Sequence, residues 1–92
     1  MIADFHCKHT KALFEGEDTT RFRAFASVAL RKLDMLDAAT RLEDLRVPPA
    51  NHLEALKGDR TGQHSIRIND QWRICFVWRN NAAWDVEIVD YH

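Results

Sequence analysis

Ninety-two residues, 46% of them apolar and 29% charged, fit one domain spanning 1–92 and exclude a disordered chain. A net charge of −1 at pH 7 does not by itself point to a polyanionic partner. No apolar run approaches the roughly eighteen residues of a membrane span, and the opening MIADFHCKHTK lacks an apolar stretch of signal-peptide length, so the expected location is the cytoplasm.

Residues 1–9 alternate loosely, with Ile2 and Phe5 apolar, and predict a short strand. Gly16 then punctuates the chain, and Asp18, Thr19 and Thr20 are helix N-cap candidates. From Thr20 to Leu36 the apolar residues Phe22, Phe25, Ala29, Leu30, Leu33 and Leu36 recur at spacings of three and four, which predicts one helix with a single buried face. A second, shorter helix is expected from Asp37 or Ala38 to Leu45. Pro48 and Pro49 then force an extended link.

After the prolines the period drops to two. HSIRIND places Ile66 and Ile68 on one face and Ser65, Arg67 and Asn69 on the other. Asn69-Asp70 and Asn80-Asn81 are turn signals on either side of WRICFVWR, and AAWDVEIVDYH is the last strand. Alternation groups Ile74, Phe76 and Trp78 on the middle strand, and Trp84, Val86, Ile88 and Asp90 on the last. Three strands with turns this tight make an antiparallel meander. The expected fold class is therefore α+β: two N-terminal helices on a mostly antiparallel sheet, formed by an N-terminal strand and a C-terminal three-stranded meander.

Charge is uneven. Over 56–79, Lys57, Arg60, Arg67, Arg73 and Arg79 stand against two carboxylates, Asp59 and Asp70. Such concentration is one footprint of a nucleic-acid-binding surface, and is also found on ordinary solvated sheet faces. Cys7 and Cys75 form no CxxC pair and read as reduced thiols. A metal site on His6, Cys7 and His9 is disfavoured, because neighbouring strand residues point to opposite faces and no second ligand pair exists elsewhere.

The stretch LEALKGDRTGQHSIRINDQWRICF, together with the final DYH, resembles the HigB branch of the RelE/ParE toxin superfamily, the killer proteins of bacterial toxin–antitoxin modules. The resemblance covers nearly the whole chain. It implies a ribosome-dependent endoribonuclease that cuts mRNA in the decoding site of the small subunit. It also implies a helix-turn-helix, HigA-like antitoxin through which DNA is reached only indirectly. Carried over by position, Lys57, Arg73, Tyr91 and His92 match residues that such toxins use on the scissile phosphate. Arg60, Arg67, Gln71 and Asp90 are expected to contact substrate. Gln71 stands where a relative has Asn, and Glu54 where the family pattern has His, which leaves the group that starts the reaction open. A non-catalytic RNA- or protein-binding module on the same fold is the alternative that Glu54 favours.

The implied chemistry is transesterification. It needs a base for the 2′-hydroxyl, cations for the charge developing on phosphorus, and an acid for the 5′-oxygen, with no metal or other cofactor. His titrates near ~6.5 and suits the acid; Tyr, near ~10, needs cationic neighbours to act as a base. On this reading the last strand carries Tyr91 and His92 to the working edge of the site.

Overall fold

The computed structural model of the chain describes residues 1–90; Tyr91 and His92, both expected in the site, lie outside the described residues. Two α-helices, α1 (Lys8–Phe14) and α2 (Ala26–Ala38), pack on one face of a four-stranded antiparallel sheet. The strands are β1 (Glu54–Ala55), β2 (His64–Arg67), β3 (Trp72–Arg79) and β4 (Ala82–Asp90), in the spatial order β1-β2-β3-β4. The expected meander is β2-β3-β4. Asn80 and Asn81 both adopt positive φ at its second turn, as a two-residue hairpin loop requires, and the Asn69 side chain accepts the Gln71 and Trp72 amides at the first.

Several boundaries differ from the sequence expectation. The N-terminal segment runs beside β4 through two parallel bridges, Ile2 with Ala83 and Phe5 with Val86, and at Lys8 becomes a helix that the alternation did not predict. Seven residues do not hold a helix in water by themselves, so α1 depends on packing Thr10 and Leu13 inward. The long helix expected over 20–36 is two elements: a 3₁₀ turn over Thr20–Phe25, then α2. At 3₁₀ spacing, residues three apart eclipse each other, and Phe22 and Phe25 both pack on Trp72, with ring centroids 5.9 and 5.0 Å away. Trp72 is thus a packing residue.

The expected second helix is a 3₁₀ turn over Leu42–Arg46, separated from α2. Asp44 causes the break, because its Oδ2 accepts the Thr40 and Arg41 amides at 3.0 and 3.1 Å. Those same bonds hold its carboxyl below the usual range. The link after the prolines is also a short turn, Pro49–Asn51, before β1.

Ala29, Leu33 and Leu36 of α2 meet Ile66, Ile74, Phe76, Val86 and Ile88 of the sheet to form the core. One irregularity decides which β4 residues join them. Cys75 pairs with Glu87 but Val77 pairs with Trp84, so β4 carries one extra residue, beside Asp85 at φ 53°. The bulge moves Trp84 off the core face, against simple alternation, and puts Ala83 there instead.

The outer edge of β4 is covered. Ala3 and His6 donate to Ala83 and Val86, Asp4 accepts the Asp85 amide, and the buried Thr10 hydroxyl accepts the Ile88 amide at 3.0 Å. Thr10→Val keeps the shape and orphans that amide in a buried position. It is expected to lower unfolding stability by about 1–3 kcal/mol in urea titration; an unchanged midpoint would mean that the amide finds another partner.

Candidate active site on the open face of the sheet

The helices cover one face of the sheet, and the candidate residues gather on the other. Register places Glu54, Ser65, Cys75 and Glu87 in one row across the four strands, and Arg67, Arg73 and Val89 in the next. Residues opposite each other, or two apart along a strand, share a face, so both rows look the same way.

Arg73 is the fixed point of this face, at 8% exposure. Its Nε donates to the buried Ser65 Oγ at 2.7 Å, and its Nη2 donates to the His52 carbonyl at 2.5 Å. Ser65 is its diagonal cross-strand neighbour, near enough for a short hydroxyl to reach. Glu54 completes the surroundings, with its carboxylate 3.8 Å from Nη2. That carboxylate is about half exposed, so the ion pair contributes little to stability; it fixes Glu54 beside the guanidinium. Among the described residues, the ion pair of Glu54 is therefore with Arg73.

Arg67 faces Arg73 directly across β2 and β3, which is unfavourable for bare like charges. Each has its own partners: Arg67 ion-pairs with Asp70 at the turn, and Arg73 has the set just given. Arg60 reaches over the sheet from the Gly58–Arg60 turn, and its Nη1 meets Gln63 and the Glu87 carboxylate, each at 3.0 Å. Gly58, at φ 65°, makes that turn in a backbone conformation that a side chain would strain. Lys57 heads the turn and is exposed. At the end of the sheet, Gln71 Nε2 donates to Asp90 Oδ2 at 3.2 Å, which joins the start of β3 to the last described residue of β4.

The structure therefore brings Glu54, Arg60, Arg67 and Arg73 onto one face, with Lys57 on the bordering turn; Asp90, opposite the core-packed Trp72, takes the alternate register position and meets Gln71 at the end of the sheet. Tyr91 and His92 follow Asp90 directly in sequence. Sequence reasoning missed Ser65, Glu87 and the His52 carbonyl. The first two were visible as polar positions in alternating strands. The carbonyl left no signal, being backbone held by His52 in a left-handed conformation. Among the described residues, no group of three or more His, Cys, Asp or Glu is arranged to hold a metal ion. No helix of the described residues is long and apolar enough to cross a membrane.

A helix-backed antiparallel sheet with a guanidinium secured on its open face places the chain among small α+β proteins. Residues 3–92 match the family described as RelE-like toxin of type II toxin–antitoxin system HigB, and the chain belongs to that family. It is 36% identical over 85 residues to Toxin HigB-1 of Vibrio cholerae, covering 90% of each chain. It is also 36% identical over 93 residues to Endoribonuclease HigB of Proteus vulgaris, covering the whole of both. A shorter match, 48% over 56 residues, is to an uncharacterized protein of Haemophilus influenzae, covering 61% of this chain and 55% of that one.

Cys75 lies in the site row but is not built as a nucleophile. Burial pushes its thiol above the usual range and Glu87 pushes the same way, against the opposing pull of Arg60 and Arg73. Iodoacetamide is expected to label Cys7, which is half-buried, in the native protein and to reach Cys75 only after unfolding. Rapid native labelling of Cys75, read by peptide mass mapping, would contradict this account of the face.

Proposed function

We propose that this toxin is an endoribonuclease that cleaves mRNA on the ribosome by attack of a 2′-hydroxyl on the adjacent phosphate. The observation that carries the reading is the secured Arg73 guanidinium on an open, cation-bearing sheet face, in a chain whose whole length aligns with Endoribonuclease HigB of Proteus vulgaris. Arg73 and Lys57 neutralise the phosphate as it gains charge; Arg73, already oriented, does so with little reorganisation. Glu54, beside Arg73, takes the 2′-hydroxyl proton, or Tyr91 does so. The 2′-oxygen bonds to phosphorus, the bond to the 5′-oxygen breaks, and His92 gives that oxygen its proton. The products are a 2′,3′-cyclic phosphate and a 5′-hydroxyl. Arg60, Arg67, Gln71 and Asp90 hold the RNA around the reacting phosphate.

A chain of 92 residues has little material to build a deep base-reading cleft, which supports a site completed by the ribosome in the cytoplasm. A type II module pairs its toxin with an antitoxin, and we assign the partner as a helix-turn-helix protein of the HigA kind. Purified protein is expected to cut mRNA on programmed ribosomes and to leave the same RNA intact in buffer; equal cutting of both would overturn the ribosome-completed site.

Single-turnover rates test the roles. His92→Gln is expected to lose about 10²–10⁴-fold with an unchanged melting temperature, and to lose the alkaline limb of the pH–rate profile that reports its proton. Glu54→Gln is expected to lose about 10²-fold; a rate near the parent's would transfer the base to Tyr91.

A further inference from the structure

One buried polar cluster lies behind the site, and nothing in the proposed chemistry uses it. Asn51 is fully buried, and Lys32 of α2 is 6% exposed. Lys32 Nζ donates to Asn51 Oδ1 at 2.5 Å. The Asn51 amide group donates in turn to the carbonyls of Leu45 and Val47, at 3.2 and 3.4 Å, and lies 3.1 Å from Met35 Sδ on α2. The Asn51 backbone amide closes the turn by donating to the Pro48 carbonyl at 2.9 Å.

A lysine taken out of water is costly, and apolar packing would hold this loop with less strain on its charge. Burial lowers the Lys32 pKa, with Arg31 and Arg67 adding to the effect. Geometry suggests what the cluster achieves. The residue after Asn51 is His52, whose carbonyl accepts the 2.5 Å bond from Arg73 Nη2. His52 sits at φ 44°, ψ 58°, an uncommon conformation for a residue other than glycine, directly after the buried Asn51. Asn51 is its anchor, and Lys32 fastens Asn51 to α2.

We propose that Asn51, gripped by Lys32, is a positioning residue: it holds the His52 carbonyl where it aims the Arg73 guanidinium across the open face. The path runs from α2 through Lys32, Asn51 and the His52 peptide to Arg73, so the helical layer sets the geometry of a group on the opposite side of the sheet. Ser65 fixes Nε through its hydroxyl and lies 3.4 Å from Nη2 through its carbonyl; the short bond to the His52 carbonyl, held by the Asn51 strut, adds a second direction to the hold on Nη2. The inference rests on Arg73 acting in RNA cleavage for its kinetic consequence, but not for its structural one.

The test uses Lys32→Met, which keeps the stem volume and removes the buried charge, and Asn51→Ala. Two measurements are made on the whole protein. The first is hydrogen exchange of the Arg73 side-chain Nη–H groups by ¹⁵N NMR in the absence of RNA. Exchange is expected to quicken by about 10-fold or more in both variants, while core amides of β3 stay protected. The second is single-turnover cleavage of ribosome-bound mRNA. Each variant is expected to lose about 10–10²-fold in kcat with KM little changed, the scale of an ångström-level misplacement. In an Arg73→Ala background the same substitutions should add less than about 2-fold. Unchanged Nη–H exchange, or an equal loss of rate with and without Arg73, would overturn the proposal. Absence of cleavage in the parent would remove the enzyme reading and leave the exchange measurement to decide the strut. If Asn51→Ala does not fold, Lys32→Met carries both measurements.

Discussion

A buried guanidinium must be surrounded by acceptors, and most of this protein's open face is arranged around that requirement. Arginine does not shed its proton, so Arg73 at 8% exposure carries its charge into a desolvated position whatever the pH. The chain meets the cost with a hydroxyl from β2, a carbonyl from the turn before β1 and a carboxylate from β1 itself. Three segments are thereby tied to one planar group. β1 is only two residues long and gains little from its ladder with β2, so the contacts to Arg73 help explain why an edge this short stays in place.

The remaining charges on the face follow from the first. A second arginine directly opposite Arg73 is tolerable because Asp70 draws Arg67 towards the turn. Arg60 is drawn over β4 by Glu87, whose neighbour in the row, Cys75, is fully buried. The arrangement leaves cations at the rim and a constrained one in the floor. Under the proposed function, a phosphate entering such a face would meet donors already oriented, which is how electrostatic catalysis avoids reorganising its surroundings during the reaction.

Much of this was legible in the sequence, and what was not has physical causes. The meander could be read because two-residue periodicity and Asn-rich turns act locally, and β2, β3 and β4 lie where HSIR, WRICFVWR and AAWDVEIVD placed them. The set Arg67, Arg73 and Ser65 on one face follows from the same alternation. α1 was hidden because KHTKALF carries too short an apolar pattern; its order comes from Thr10 and Leu13 meeting the sheet. The break between Thr20–Phe25 and α2 was hidden because Phe22 and Phe25 fit a helical face, and only Trp72, about fifty residues on, makes the tighter turn favourable. The bulge at Asp85 is one residue of backbone geometry, and it reversed the side assigned to Trp84. The acceptor on His52 and the buried Lys32 belong to the same category: a carbonyl has no letter, and a lysine between apolar helix positions reads as solvated until the loop that covers it is seen.

The central claim is that the Arg73 guanidinium, held in place before RNA arrives, neutralises charge on the phosphate being cleaved. The most direct test is single-turnover cleavage of ribosome-bound mRNA by Arg73→Ala, with and without added methylguanidinium, with melting temperature as the control for folding. The account predicts a loss of about 10²-fold or more for the variant and partial recovery as methylguanidinium is raised, with no effect of the additive on the parent. A folded Arg73→Ala protein that cuts at the parent's rate would contradict it.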